Sequence, residues 1–280
     1  MAALEPPWPA PAKVNRMLRI VGRRPDGYHL LQTVFQFLDH CDWLRFEPRD
    51  DKLITRAVEL PGVPPETDLS LRAARLLAAS AGIERGVNLH LDKRLPMGGG
   101  LGGGSSDAAT TLVALNHQWS TGFSEDQLAA LGLELGADVP VFVRGRAAWA
   151  EGVGEKLIPI ELDTPWFAVL IPPGGVDTRE IFQDPSLTRN SQPINIADFI
   201  AGDAANDCEA LVYSRHPSVA AAASYLAQFG PARLTGTGGC VFAIFASRQA
   251  ALAALADPPC PGFVARGLNE SPLLARLTSP

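Results

Sequence analysis

Between Gly98 and Gly104 every residue except Leu101 is glycine, and the run leads directly into Ser105-Ser106-Asp107 and an alanine-rich helical stretch. Each glycine held in a fixed backbone loses more conformational freedom than any other residue, so a run like this is not a packing choice. What it offers is a string of unobstructed N–H groups leading to the positive end of a helix, an arrangement that binds anions. The implied ligand carries phosphate. The loop alone leaves open whether that phosphate is transferred or only held.

Composition limits the alternatives. At 280 residues the chain exceeds the size at which one core usually keeps growing, which implies two domains or one large one. A net charge of −6 argues against a nucleic-acid partner, which would need a basic face. A phosphorylated small molecule stays possible, because charges are screened over roughly 8 Å and a few lysines or arginines decide local binding. Cys41, Cys208, Cys240 and Cys260 are scattered, with no CxxC pair, and read as free cytosolic thiols rather than zinc ligands. Residues 1–11 are proline-rich without a signal-peptide or transit pattern, and no apolar run approaches the ~20 residues a membrane span needs. A cytoplasmic protein with no membrane partner is expected.

Apolar spacing places the elements. Val87–Leu91 alternates as a half-buried strand, and an earlier helix covers Leu69–Ala81. Ser105 or Ser106 is expected to cap the helix after the loop, with Ala108, Ala109, Leu112, Val113 and Leu115 on its apolar side. Ser124-Glu125-Asp126-Gln127 reads as a capping box opening a helix with the stripe Leu128, Leu131, Leu135 and a stop at Gly136. Phe167–Ile171 is a continuous apolar run suited to a strand buried on both faces. A helix near 219–229, a second glycine-rich turn at Thr235–Gly239 and a buried strand over Cys240–Phe245 follow. The domain boundary falls near 155–165.

Three phosphate-binding designs compete for the loop. A Walker A loop ends in Gly-Lys-Ser/Thr, whereas Gly104 is followed directly by Ser105. Gly98–Gly103 satisfies G-x-G-x-x-G formally, but a dinucleotide fingerprint follows its strand immediately, and here Asp92–Met97 intervene. A flexible linker would not abut a capped helix. The third design is carried by Pro96-Met97-Gly98-Gly99-Gly100-Leu101-Gly102-Gly103-Gly104-Ser105-Ser106, which resembles the phosphate loop of the GHMP small-molecule kinases. Pro11-Ala12-Lys13-Val14-Asn15 and Leu234-Thr235-Gly236-Thr237-Gly238-Gly239 resemble two further signatures of that superfamily, in the right order. Arg24–His29, Gly136–Phe142 and Asn206-Asp207-Cys208 narrow the resemblance to a branch whose acceptor is a cytidine diphosphate-linked methylerythritol.

The resemblance implies a two-domain α/β chain of the α+β kind. Residues 1–158 would form an ATP-binding domain like domain 2 of ribosomal protein S5. Residues 159–280 would form a ferredoxin-like domain closing the substrate cleft. It implies transfer of the γ-phosphoryl of ATP to a hydroxyl of that acceptor, with Mg2+ accompanying the nucleotide, in a monomer or weak homodimer. Another kinase of the superfamily and a non-catalytic nucleotide sensor are the alternatives.

Phosphoryl transfer needs positioning, charge neutralisation and a base for the attacking hydroxyl. By resemblance Asp138 is that base, and Lys13 lies beside it to stabilise the hydroxyl as it loses its proton. Read without the resemblance, Asp138 is equally a helix cap and Lys13 a surface lysine. Gly136 is expected to free the chain ahead of Asp138. Lys93, Pro96, Met97, Gly98, Gly99, Gly100, Leu101, Gly102, Gly103, Gly104, Ser105 and Ser106 would hold the nucleotide, Lys93 through phosphate or ribose. Asn15, Tyr28, His29, Thr178 and Phe182 would hold the acceptor, with Tyr28 and His29 gripping cytosine and Phe182 closing a sandwich. Turn, core and solvated-face roles remain open for Asn15, Phe182 and Lys93. No carboxylate cluster announces a metal site, so Ser105, Ser106 and Asp107 are the candidates, with Asp107 expected to turn away as a cap. Asp68 stands where these kinases commonly carry an asparagine that helps hold adenine, and an acid cannot donate as the amide does. His40, His90, His117 and His216 read as structural or surface residues.

Overall fold

The computed structural model describes residues 6–278; Met1–Glu5 of the proline-rich opening segment lie outside the described residues. Two long strands form its spine. β1 (Trp8–Arg23) pairs antiparallel along its length with β2 (His29–Arg49). Pro9 and Pro11 are tolerated in β1 because its only ladder among the described strands is to β2. Register shifts between Pro11 and Lys13, and between Asn15 and Met17, bend β1 around its most polar segment.

The sheet runs β3 (Ile54–Arg56), β4 (Gly86–Asp92), β2, β10 (Gly262–Leu268), β7 (Trp166–Leu170), β9 (Val241–Phe245), β8 (Ala232–Leu234). β5 (Ala148–Gly152) also pairs with β2, and β6 (Lys156–Pro159) with β5. The join between the early and late strands is narrow: β10 meets β2 only through Gly267–Leu38 and Leu268–Phe37. Strand β7 shows why its sequence is a continuous apolar run. Phe167 and Val169 face one core cluster, while Ala168 and Leu170 face another.

Helices α1 (Leu69–Ala81), α2 (Gly103–Trp119), α3 (Glu125–Leu135) and α4 (Val139–Arg144) pack with β1, β2, β4 and β5 around the largest core. In α1 the Asp68 carboxylate accepts the Ser70 and Leu71 amides, and Gly82 ends the helix at φ 66°. Ser124 and Gln127 form the expected capping box of α3. α5 (Thr178–Gln183) and the helices at 196–200, 209–215, 217–226 and 248–253 accompany the later strands. The helix expected near 219–229 therefore starts and ends slightly earlier, with Pro217 in its first turn.

Two local expectations are corrected. Neither Ser105 nor Ser106 caps α2. The helix starts at Gly103, with Gly102 at φ 74° as the N-cap residue and no capping side chain. Gly136 has φ 173°, extended backbone open to any residue, so no special freedom precedes Asp138. All four cysteines are free, and burial pushes the thiols of Cys41, Cys208 and Cys240 up to about 12. Among the described residues no helix is long and apolar enough to cross a membrane.

Candidate active site

The register shifts in β1 leave Lys13 and Asn15 side by side, with Ala12 and Val14 turned into the core. Lys13 is 3% exposed, and its Nζ donates to Asn15 Oδ1 at 2.5 Å and to the Gly100 carbonyl at 3.1 Å. Asn15 donates through Nδ2 to Thr33 Oγ1 at 2.8 Å, and Thr33 donates onward to the Met17 carbonyl at 2.5 Å. The chain of donors is complete, which fixes the lysine in one place.

Asp138 Oδ2 lies 3.2 Å from the same Lys13 Nζ. Asp138 occupies the N-cap position of α4, yet its side chain accepts no capping hydrogen bond, and Pro140 follows in the first turn. The cap reading and the free-carboxylate reading are therefore separated: the position is a cap, while the carboxylate is turned to Lys13. With 35% of its side chain accessible, it is open to a ligand while its partner is not.

The glycine loop and this pair line one cavity of about 560 Å³, and the loop touches Lys13 at the Gly100 carbonyl. Gly98, Gly100 and Gly102 have φ of 68°, 75° and 74°, values that L side chains rarely adopt. Packing also contributes, contrary to the expectation that the run serves ligand approach alone. A Cβ at Gly100 would lie 2.1 Å from the Thr235 carbonyl oxygen, and one at Gly99 2.7 Å from Cys240 Sγ. The second glycine-rich turn is thus seated on the first. Thr235 Oγ1 donates to the Gly100 carbonyl at 3.0 Å, and the Cys240 amide donates to the Gly99 carbonyl at 3.0 Å. Beyond the loop, the uncapped first turn of α2 presents main-chain amides at the cavity wall, where the helix dipole favours a negative ligand.

Of the residues named from sequence, Lys13, Asn15, Lys93, Pro96–Gly104, Ser105, Asp138, Thr178 and Phe182 line this one cavity. Ser106 does not; it is wholly buried and its Oγ has no partner. Tyr28 and His29 lie off the cavity wall. Tyr28 is exposed, while His29 is buried and stacks on Phe182 with ring centroids 5.0 Å apart. A planar ligand cannot enter between these two rings without parting them.

Lys93 is bound at 2.6 Å to both Asp42 Oδ2 and Asp107 Oδ2. Burial alone would lower its pKa, but the two carboxylates outweigh burial and hold it above the usual range. The Asp107 pKa is raised too, which for an acid favours the neutral form: burial, opposed by Lys93 and aided by Asp42, lifts it well above ordinary carboxylates. Asp107 is not the helix cap that the sequence suggests. Its Oδ2 faces the Lys93 cation, and its Oδ1 is left buried without a partner.

Asp68 lines the cavity as part of the wall formed by Leu60, Val63 and Thr67 to Ser70. Its Oδ2 is engaged by Arg56, whose guanidinium also donates to the Val58 and Val63 carbonyls. Sequence reasoning missed Arg56 because nothing in its neighbourhood marks it. Thr237, quoted from sequence only as part of the second glycine-rich motif, also reaches the cavity; its Oγ1 lies 2.7 Å from Thr178 Oγ1.

A glycine loop at an uncapped helix start, facing a lysine–aspartate pair in a mixed α/β chain, defines a GHMP kinase. The family descriptions "GHMP kinases N terminal domain" and "GHMP kinases C terminal" match residues 68–146 and 187–258. A mevalonate kinase crystal structure superposes with TM-score 0.70 at 16% identity over 95% of this chain and all of the other, a likeness of fold. The chain is 58% identical to the 4-diphosphocytidyl-2-C-methyl-D-erythritol kinase of Nitrosococcus oceani, over 95% of this chain and 96% of that one. Against the same kinase of Pseudomonas aeruginosa it is 55% identical over 96% of each chain. A crystal structure of 4-(cytidine 5'-diphospho)-2C-methyl-D-erythritol kinase superposes with TM-score 0.78 at 32% identity, covering 94% of this chain and 99% of the other. The chain belongs to this family of ATP-dependent small-molecule kinases.

Proposed function

We propose that the protein transfers the γ-phosphoryl group of ATP to the 2-hydroxyl of 4-diphosphocytidyl-2-C-methyl-D-erythritol, a step of the non-mevalonate route to isoprenoid precursors. The carrying observation is the 3.2 Å pairing of Lys13 with Asp138 in the cavity that the glycine loop also lines. Main-chain amides of residues 98–105 hold the donor phosphates, which need fixed dipoles rather than covalent help. Asp138 takes the proton of the acceptor hydroxyl. Lys13, fixed by Asn15 and Gly100, faces the alkoxide as it forms. Asn15 and Thr178 hold the acceptor, and Phe182, with Tyr28 and His29, holds its cytosine.

Magnesium fits the residues present. Asp107 Oδ1 is buried without a partner, and Asp107 and Ser105 both line the cavity. Among the described residues no cluster of three or more His, Cys, Asp or Glu side chains is placed to hold a metal. That suits an ion bound through one carboxylate, water and substrate phosphates. Ser105 and Asp107 would hold it, and its charge would offset that of the transferring phosphoryl group.

The two family descriptions fall on either side of residue 158, which supports a nucleotide-binding part over 1–158 and a cleft-closing part over 159–280. Free, mostly buried thiols suit a reducing cytoplasm and a monomer or weak dimer needing no disulfide. The test is a coupled ADP-release assay offering the cytidine diphosphate-linked alcohol, mevalonate and homoserine, with Tyr28→Ala alongside. Turnover confined to the first alcohol, and lowered by Tyr28→Ala, is expected. Equal turnover of mevalonate or homoserine, indifferent to Tyr28, would assign the chain to another branch.

A further inference from the structure

His29 and Phe182 reach each other from β2 and α5, and one residue joins them from behind. Arg189 donates through Nε to His29 Nε2 at 3.0 Å. Its Nη2 donates to the Phe182 carbonyl at 3.1 Å and to the Asp184 carbonyl at 2.5 Å; its Nη1 donates to the Leu187 carbonyl at 3.1 Å. No carboxylate pairs with Arg189 among the described residues, although acidic partners are usual for a half-buried guanidinium.

This geometry has a chemical consequence. A guanidinium only donates, so the His29 nitrogen facing it must accept and carries no proton. In a neutral imidazole the remaining proton then sits on Nδ1. No partner for Nδ1 exists among the described residues, and it is not among the side-chain atoms sealed from solvent without a partner. It is a donor held ready for a ligand.

We propose that Arg189 is a positioning residue that locks His29 as the Nδ1–H tautomer and ties it to Phe182, so that the ring pair accepts a pyrimidine edge offering acceptors. Such an edge is that of cytosine, whose O2 and unprotonated N3 accept; uracil presents an N3–H that would oppose the His29 donor. The inference rests on the acceptor reading given above, in which His29 grips the base, and adds the residue that positions that ring. Burial, with Arg189 and then Arg23 adding repulsion, lowers the His29 pKa and so favours the neutral ring. The charges that act on the ring, those of Arg189 and Arg23, both oppose its protonation.

The test begins without substrate. Long-range 1H–15N spectra of the histidine-labelled protein at pH 7.5 should show His29 as the Nδ1–H tautomer. In Arg189→Met the ring should shift toward Nε2–H, and in Arg189→Lys, which keeps a donor, the original tautomer should largely return. Kinetics supply the second arm. Arg189→Met should raise KM for the cytidine diphosphate-linked alcohol about tenfold, the value of one lost hydrogen bond. Its kcat and KM for ATP should change little, and preference over the uridine analogue should fall by a similar factor. An Nε2–H or protonated His29 in the unmutated protein overturns the proposal whatever the substrate proves to be. So does an unchanged tautomer in Arg189→Met, or a KM for ATP that rises equally. Failure of the unmutated enzyme to use the cytidine compound, with the tautomer as expected, would instead overturn the acceptor reading.

Discussion

The Lys13 ammonium and the Asp138 carboxylate lie 3.2 Å apart, the first nearly sealed from solvent and the second open to the cavity. The difference in exposure separates their roles. Lys13 spends its other hydrogen bonds on Asn15 and the Gly100 carbonyl, so its position is set by the fold. Asp138, relieved of capping duty, is the member of the pair that can exchange a proton with a bound alcohol.

Asp138→Asn should therefore lower kcat by about 10²–10⁴-fold, the range for loss of a general base. The amide has the same shape and Lys13 keeps its two neutral partners, so KM for ATP should hardly move, while the thermal midpoint should fall, because the buried ammonium loses the carboxylate paired with it. Steady-state kinetics beside a melting curve check this. Near-normal turnover in the variant would remove Asp138 from the role.

Two glycines of the loop should respond differently to alanine. Gly100 has φ 75°, and its Cβ would meet main-chain oxygens of Thr235 and Gly238 at 2.1 and 2.8 Å, atoms that cannot rotate away. Gly100→Ala should cost about 1–3 kcal/mol from backbone strain, more if the Thr235 turn is displaced. At Gly104 a Cβ would meet only Leu69 Cδ1, at 3.5 Å. Gly104→Ala should leave unfolding by urea unchanged or slightly improved, since alanine favours a helix. If the main chain must closely approach the phosphates, KM for ATP should nevertheless rise. A destabilised Gly104→Ala, or a fully stable Gly100→Ala, would refute this division.

Which parts of the molecule were legible beforehand follows from how local their causes are. The Ser124 capping box, the α1 helix and the alternation of β4 are decided within a few residues, and the structure has them where the sequence indicates. β7 was legible because a strand buried on both faces has no polar side to display. The start of α2 was not, because a left-handed Gly102 replaced the side-chain cap that neighbouring serines advertised. The glycine loop was legible as an anion site from its own residues, Lys13 and Asp138 were named through their resemblance to known motifs, and the distance between these two depends on tertiary structure. Arg56 and Arg189 left no trace. An arginine whose partners are main-chain carbonyls, a distant histidine or a distant aspartate creates no pattern along the chain.

His40 links pH to stability. It stacks on Phe263 with centroids 4.1 Å apart, and burial lowers its pKa, with Arg94 helping and Asp42 and Asp39 opposing. The unfolded chain keeps the ordinary value of 6.5, so below that pH it binds a proton that the folded state resists. The unfolded state then holds more protons, and stability must fall as pH drops through 6.5 toward the lowered folded value. Asp107, raised by burial, contributes a slope of the opposite sign over this window, so the readout is comparative: in urea unfolding between pH 7.5 and 5, His40→Leu should lose less stability on acidification than the unmutated protein. His29 contributes a slope of the same sign, so the difference between the two proteins is the informative quantity. An identical slope in His40→Leu would disprove the assignment.

Asp68 and Arg56 give the last prediction. Both side chains are nearly buried, and the carboxylate divides its oxygens between the α1 amides and the guanidinium. An asparagine at this position could cap α1 equally well, so the aspartate is tolerable here because Arg56 offsets its buried charge. Removing the arginine alone, as Arg56→Met, strands that charge and should cost ~3–5 kcal/mol. Asp68→Asn alone leaves the guanidinium bonded to the Val58 and Val63 carbonyls and should cost less. If the penalty is the unpaired carboxylate, the double variant Arg56→Met/Asp68→Asn should recover most of what Arg56→Met loses, a coupling that a double-mutant cycle in urea measures directly. Because the same pair forms part of the cavity wall, KM for ATP should follow the order of stability across the three variants. Strictly additive losses would mean that the two side chains act independently, and that Arg56 merely braces the loop ahead of α1.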